Sequence, residues 1–157
     1  MVEVCFWSAK VSDTSYWDYS HWNPRIGHIA LKVNGGTPAG ALYLSSFPGS
    51  TWTALDLGYS GENHTYEMDT REYGLPNVVR LSKLNETAVK TAVAGATHSM
   101  IYNDFLYNCA SHVRYCLECG ASGPTVARVD MYTTGAVFSH TPRGVFTYAM
   151  GLQALFG

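Results

Sequence analysis

Short apolar runs predict strands in the first half of the chain. Runs of this kind favour strands when they are rich in β-branched or aromatic residues and are bounded by turn residues. Four segments have these features, at residues 2–8, 27–33, 41–47 and 77–81. Residues 48–74 are instead rich in Gly, Ser, Thr and Asn and have no sustained period, so we expect a long loop there.

Helical periodicity predicts three helices in the second half, over about residues 86–99, 108–119 and 141–156. Capping residues mark their ends: Ser82 or Asn85 before the first, Gly120 after the second, and Thr141 followed by proline at the start of the third. Strands followed by helices predict an α+β fold, with a small antiparallel sheet packed against a helix.

Length and composition indicate one compact domain over residues 1–157. Hydrophobic residues make up 46% of the chain and charged residues 14%, whereas disordered chains are poor in the first and rich in the second. The net charge is −2 and the ten Lys and Arg residues are spread along the chain. Because no basic stripe follows from this distribution, nucleic acid is not expected as a partner.

Hydropathy also limits the relation to membranes. The chain has no run of about 18 apolar residues, so we expect no integral membrane segment. Its first residues lack the basic start and apolar stretch of a secretory signal. We therefore expect synthesis in the cytoplasm, and any secretion must use a route that needs no classical signal peptide.

Three of the four cysteines, Cys109, Cys116 and Cys119, lie within eleven residues of one predicted helix, far from Cys5. This spacing is not that of a disulfide framework, so reduced thiols are expected. Cys116 and Cys119 form a C-x-x-C pair at the end of the helix, whereas a redox pair opens a helix and a zinc site needs further ligands. We expect no metal and no cofactor.

Cys109 is the candidate nucleophile. A thiol attacks efficiently only as a thiolate, which is favoured by the positive potential of a helix N-terminus and by a neighbouring imidazolium. Cys109 follows Asn108 at the start of the second predicted helix, on the face that turns towards the protein. The alternative is a buried structural cysteine.

His28 is the candidate general base. It lies in an apolar strand directly after Gly27, where an ionisable side chain is costly without a partner. A lone histidine of this kind is otherwise a hydrogen-bonded core residue. Because Cys and His residues distant in sequence can assemble as nucleophile and base, we expect the Cys109 sulfur to contact a ring nitrogen of His28. His112, one turn after Cys109, ranks below it, and the other histidines are expected at the surface: His64, His98 and His140.

Several segments of the chain match, in order, one set of sequence motifs in which a histidine precedes a cysteine. The first two, RIGHIALKV at 25–33 and YLSSFP at 43–48, resemble G-H-(small or apolar)-S/A-L and Y-I-S-F-W-P. Two further matches, Leu55-Asp56 and DTREYGLP at 69–76, lie between these segments and the predicted helices. YNCASHV at 107–113 resembles the Y-N-C-(S/A)-x-x-V turn that carries the nucleophile. TPRGVFTYA at 141–149 resembles the closing helix, T-P-x-x-V-x-x-Y-A. In these motifs the chain resembles the permuted papain-like domains found in bacterial effector and toxin proteins. The broader relatives of that family are NlpC-type peptidases and lecithin:retinol acyltransferase-like enzymes, which share the order of His before Cys.

The resemblance implies a permuted papain-like fold, with the cysteine at a helix N-terminus against a sheet that carries the histidine. It implies an effector or toxin domain that hydrolyses an amide bond through a Cys109 thioester, with His28 as general base. The substrate is then a peptidoglycan stem peptide, a protein, or a Gln or Asn side chain, and a secretion system or an immunity protein is the implied partner. Acyl transfer or lipid hydrolysis, and a catalytically decayed binding module, are the alternatives.

In the acyltransferase-like enzymes, the strand after the catalytic histidine carries a second histidine, which orients the first. This chain has no histidine at the equivalent place, so another residue must orient His28. Here that strand offers only Ser45 and Ser46 as polar groups. Alternation places only one of them towards the site. We expect this to be Ser46, which is nearer the strand end, with Asp56 or a backbone carbonyl next in line.

For the oxyanion, the backbone N–H of Cys109 is the expected first donor. Asn103 is the expected second donor, because it precedes Cys109 by six residues, the offset at which papain-like enzymes carry their Gln. Tyr102 and Tyr107 could donate equally. The segment at 13–25 is too aromatic for an idle linker, and we expect Trp22, together with Tyr107, to contact substrate.

Overall fold

A computed structural model describes residues 1–8, 27–33, 42–52, 59–98, 101–102, 108–121 and 141–157. Its strands are β1 (Val2–Trp7), β2 (His28–Val33), β3 (Leu42–Leu44), β4 (Ser46–Trp52), β5 (Tyr59–Asn63), β6 (Asn77–Leu81) and β7 (Ile101–Tyr102). Its helices are α1 (Tyr66–Tyr73), α2 (Glu86–His98), α3 (Cys109–Gly120) and α4 (Pro142–Phe156). The expected α+β class is confirmed.

The strands form two small antiparallel sheets. The larger has the order β3-β2-β1-β6 and the smaller the order β4-β5-β7. In the larger sheet, Trp7 at the end of β1 lies opposite His28 at the start of β2. The histidine therefore lies at the end of the sheet, where a side chain can reach groups from neighbouring elements.

The larger sheet is covered on both faces. On one face it packs against α2, α3 and α4, which enclose the main apolar core. On the other face a smaller cluster packs against α1, and its members include Cys5, Trp7, Ala30, Tyr66 and Tyr73. Because side chains alternate along a strand, His28 shares the face of Ala30 and lies on the α1 side of the sheet.

The predicted strand over 41–47 is interrupted at Ser45. Residues before the break pair with β2 as β3, and residues after it pair with β5 as β4 in the other sheet. The Asn63 side chain accepts from Ser45 N at 2.7 Å and donates to Tyr43 O at 3.0 Å, while His64 N donates to Ser45 O at 2.9 Å. These hydrogen bonds pair the backbone N–H and C=O of Ser45, which has no partner strand in either sheet, and so stabilise the interruption between β3 and β4.

The prediction of one long loop over 48–74 is wrong, because this stretch contains most of β4, all of β5 and α1. Helix α1 begins behind Thr65, whose side chain accepts from Met68 N, and ends at Gly74, which has a φ of 84°. It is short and polar, and Asp69 is its buried residue. Without an apolar stripe it has no helical periodicity to detect.

The three predicted helices are present close to their expected bounds. The Asn85 side chain caps α2 by accepting from Ala88 N, and Thr141 caps α4. Gly120, expected just after α3, is its last residue, and a Cβ there would lie 2.3 Å from Cγ2 of Val89. Glycine thus lets α2 and α3 approach closely. None of the helices that the structure describes is long and apolar enough to cross a membrane.

Candidate active site

His28 is enclosed by aromatic rings. It follows Gly27, whose φ of 80° is a conformation that glycine adopts without a steric penalty, and only 6% of His28 is exposed. The centroid of its ring lies 4.4 Å from that of Phe47, 5.5 Å from that of Trp7 and 5.7 Å from that of Tyr73. These rings limit the access of water to the imidazole.

Ser45 links His28 to the carboxylate of Asp69. Nε2 of His28 lies 2.9 Å from the Ser45 hydroxyl, which donates to Oδ2 of Asp69 at 2.6 Å; the direct distance from Nε2 to Oδ2 is 3.5 Å. Because the hydroxyl has one proton and gives it to the carboxylate, its oxygen accepts from Nε2–H of His28. The proton of a neutral His28 is therefore on Nε2, and Nδ1 keeps a free lone pair.

Asp69 is a fully buried carboxylate on α1, with 0% exposure. Oδ2 also accepts from the Tyr43 hydroxyl at 2.5 Å. Burial alone raises the pKa of Asp69, but the hydrogen bond and charge of His28, with the hydroxyls of Ser45 and Tyr43, outweigh burial, and the net pKa is lowered. The site thus holds Asp69 in its charged form.

Burial disfavours the charged form of His28 as well, which lowers its pKa, but the partners of His28 outweigh this effect. Electrostatic interactions with Asp69 and with Cys109 raise the pKa of His28 from 6.5 to about 9. His28 therefore interacts with Cys109 on one side and with Asp69 on the other. Since Ser45 occupies Nε2, Nδ1 is the nitrogen left for the cysteine.

Cys109 is the first residue of α3 and is 7% exposed. Asn108 caps the helix: its side chain accepts from Ser111 N at 3.0 Å, and the Ser111 hydroxyl accepts from Asn108 N at 2.8 Å. This reciprocal cap fixes the backbone that carries the thiol. The first amides of a helix have no partner within it, so the Cys109 N–H is not used by the helix itself.

The prediction that Ser46 orients His28 is wrong. The Ser46 hydroxyl lies 2.8 Å from Nδ1 of His112, and Ser45 is the serine that contacts His28. Simple alternation along residues 41–47 fails here because the chain passes from one sheet to the other at Ser45. The two neighbouring serines therefore serve two different histidines.

His64 is not the surface histidine that its sequence context predicted. Its ring stacks on Phe47 with a centroid distance of 3.9 Å, and its Nδ1 lies 3.5 Å from Oδ1 of Asp69. Neither of these two facing atoms has a hydrogen-bond partner among the described residues. His64 is therefore part of the surroundings of the carboxylate.

The remaining cysteines differ from Cys109 in their environment. All four are free thiols; Cys5, Cys109 and Cys116 are buried, and Cys119 is exposed at the end of α3. Burial raises the pKa of Cys5 and of Cys116 to about 12 in each case. Both are thus uncharged at neutral pH and poor nucleophiles. Within the described part of the chain, no three His, Cys, Asp or Glu side chains are grouped to bind a metal ion.

Six residues singled out from the sequence lie outside the described residues: Asn103, Trp22, Tyr107, Leu55, Asp56 and His140. Conversely, the sequence interpretation did not assign a role to Asp69, although that residue opens one of the motifs quoted above. The signal that could have found it is the pair of helix boundaries at Thr65 and Gly74, which together predict a short helix around Asp69.

Family models, curated proteins and solved structures give no match to this chain. The chemistry of the site is therefore argued from its geometry. A thiol at a helix N-terminus interacts with an imidazole, and that imidazole is connected through a serine hydroxyl to a buried carboxylate. Such an arrangement can stabilise a thiolate and can transfer a proton to and from a reacting group.

Proposed function

We propose that this chain is a cysteine-dependent amide hydrolase with a permuted papain-like arrangement, in which Cys109 is the nucleophile and His28 the general acid and base. The observation that carries the proposal is the hydrogen-bonded connection from His28 through Ser45 to Asp69, beside which Cys109 contributes to the raised pKa of His28. The Asp69 carboxylate accepts the proton of the Ser45 hydroxyl, and the Ser45 oxygen accepts from Nε2–H of His28. Nδ1 of His28 is then left for the Cys109 sulfur.

The reaction begins from an imidazolium beside a thiolate. With a pKa of about 9, His28 carries a second proton at neutral pH, and an imidazolium beside a helix N-terminus is the environment in which cysteines act as nucleophiles. The thiolate attacks the carbonyl carbon of the amide and forms a C–S bond. The C–N bond then breaks, and the leaving amine takes the proton of Nδ1–H, which leaves a thioester and a neutral His28 with its proton on Nε2.

The second half of the reaction uses the lone pair that the first half exposed on Nδ1. A water molecule attacks the thioester carbon while Nδ1 removes its proton. The C–S bond breaks and releases a carboxylic acid, and the site returns to a thiolate beside an imidazolium. Ser45 and Asp69 keep Nε2 protonated throughout, so that Nδ1 is always the nitrogen that exchanges protons.

The order of the elements supports the permuted papain-like arrangement. His28 on β2 precedes Cys109 on α3, and α3 packs against the strand that carries the histidine. A decayed binding module has no need of a buried carboxylate, whose desolvation is costly without a function that repays it. The intact connection to Asp69 therefore favours the hydrolase. We place the chain among effector or toxin domains that cut peptide, protein or peptidoglycan amides, or deamidate Gln or Asn side chains.

Alkylation of Cys109 by iodoacetamide, followed by mass spectrometry, tests the proposal without knowledge of the substrate. We expect Cys109 to react faster than Cys119 at neutral pH, and His28→Ala to lower its rate by at least about tenfold. Turnover of peptidoglycan, casein and glutamine peptides then identifies the substrate class, with Cys109→Ala and His28→Ala inactive.

Cys119→Ser is the matched control, because it removes the exposed thiol of the same helix. It should leave alkylation of Cys109 and turnover unchanged. Equal rates of Cys109 alkylation with and without the His28 imidazole would contradict the proposal. If Cys119→Ser is as inactive as Cys109→Ala and folds normally, the C-x-x-C pair carries the chemistry instead.

A further inference from the structure

A second histidine is held beside the nucleophile. His112 lies on α3 three residues after Cys109, and its Nδ1 is 2.8 Å from the hydroxyl of Ser46. Ser46 follows directly on Ser45, which contacts His28. Two adjacent serines at the break between the sheets therefore hold the rings of two histidines, one on β2 and one on α3.

The hydrogen bonding of Ser46 decides which nitrogen of His112 carries the proton. Ser46 is 1% exposed, and within the described ranges the Ser46 hydroxyl has Nδ1 of His112 as its hydrogen-bond partner. A buried hydroxyl proton without an acceptor is costly, so Ser46 donates to Nδ1. The proton of His112 is then on Nε2. Ser45 does the opposite, because it gives its proton to Asp69 and accepts from His28.

His112 is held in its neutral form. Burial lowers the pKa of His112, and no carboxylate among the described residues is paired with it. The contrast with His28, which has Asp69 as its partner and a raised pKa, is direct. The two histidines are therefore set to different tasks: His28 exchanges protons, and His112 offers one fixed N–H donor.

Helix geometry places His112 over the nucleophile. Residues three apart on a helix are neighbours on one face, and their side chains lean towards the N-terminus. The His112 side chain thus leans over the turn that begins with Cys109. We propose that His112 donates a hydrogen bond from Nε2–H to the carbonyl oxygen of the substrate as Cys109 attacks it, alongside the backbone N–H of Cys109. This inference rests on the proposed function and gives His112 the task that the sequence assigned to Asn103.

Two reagents distinguish stabilisation of the oxyanion by His112 from a general effect of His112 on the reactivity of the Cys109 sulfur. The ester p-nitrophenyl acetate acylates Cys109 through a tetrahedral oxyanion, whereas iodoacetamide alkylates the same sulfur by displacement without one. In a Cys119→Ser background we expect His112→Phe to lower acylation by about a hundredfold and to leave alkylation nearly unchanged, as for the loss of one oxyanion donor. His112→Gln, which keeps an N–H donor, should retain part of the acylation rate.

Ser46→Ala should lower acylation by about tenfold, because the ring is no longer fixed in one tautomer. Asn103→Ala is the comparison that the sequence prediction requires. The proposal is overturned if His112→Phe lowers acylation and alkylation equally, if it lowers neither, or if only Asn103→Ala lowers acylation selectively. It also falls if wild-type Cys109 is not acylated. Alkylation that is independent of His28 would instead contradict the proposed function, so the two failures are distinguishable.

Discussion

Replacing Asp69 by Asn tests the electrostatic pairing at the centre of the candidate site. Asparagine keeps the shape of the side chain and an oxygen that can accept from Ser45 and Tyr43, but it removes the negative charge. The hydrogen bond with Asp69 is the first of the interactions that outweigh burial and raise the pKa of His28 to about 9. We therefore expect the pKa of His28 to fall in Asp69→Asn, where Cys109 is the remaining named partner that raises it.

The magnitude follows from the proton affinity of His28. The rise of its pKa from 6.5 to about 9 corresponds to about 3 kcal/mol, since a tenfold change in affinity is worth about 1.4 kcal/mol. His28 binds its proton more tightly in the folded state, so this stabilisation is complete below pH 6.5 and is lost as the pH rises through about 9. The pKa of Asp69 is lowered, so its charged form stabilises the folded state at pH values above the unfolded pKa of 3.8. This stabilisation is lost as the pH falls through the lower pKa of the folded state.

Urea unfolding of wild type and Asp69→Asn at a series of pH values measures this effect. Between about pH 6 and pH 10, wild type should lose up to about 3 kcal/mol more than the variant, because Asp69 supplies part of the rise and Cys109 the rest. Groups whose pKa does not depend on Asp69, such as Cys116, cancel in the difference between the two proteins. A histidine NMR titration reports the pKa of His28 directly, and Glu67→Gln on the exposed side of α1 is the matched control.

A difference in unfolding free energy that stays constant from about pH 6 to pH 10 would refute this reasoning, because it would mean that Asp69 does not raise the pKa of His28. The same conclusion would follow if Glu67→Gln changed the pH dependence as much as Asp69→Asn did. In either case, the carboxylate would be a structural group of α1 without an electrostatic part in the site.

Two further substitutions test the connection and the packing that positions it. Ser45→Ala should lower turnover and iodoacetamide alkylation by about ten- to a hundredfold, because the imidazole loses its link to the carboxylate, whereas Ser46→Ala should leave alkylation unchanged. Equal alkylation by both variants would contradict this. Gly120→Ala should lower the free energy of unfolding by about 1–3 kcal/mol in urea, because its Cβ meets Val89 at 2.3 Å. Gly95→Ala, whose Cβ meets no described residue within 4 Å, should not be destabilising, and equal losses in both would count against the packing argument.

The sequence alone determined the features that depend on neighbouring residues. The apolar run after Gly27 predicts the strand that carries His28, and Asn108 predicts the start of the helix that carries Cys109. Hydrophobic periodicity and capping are local interactions, so a short window of sequence contains them. The two candidate catalytic residues could therefore be chosen before any tertiary structure was considered.

Only the tertiary structure decided which groups complete the site. Ser45, and not Ser46, contacts His28, because Asn63 and His64 hold the chain at the point where it leaves one sheet for the other. Asp69 lies on a short polar helix without an apolar stripe, and its carboxylate is buried against a serine 24 residues earlier in the chain. A buried charge is stable only when its partners are assembled around it, and partners so distant in sequence leave no periodic pattern along the chain.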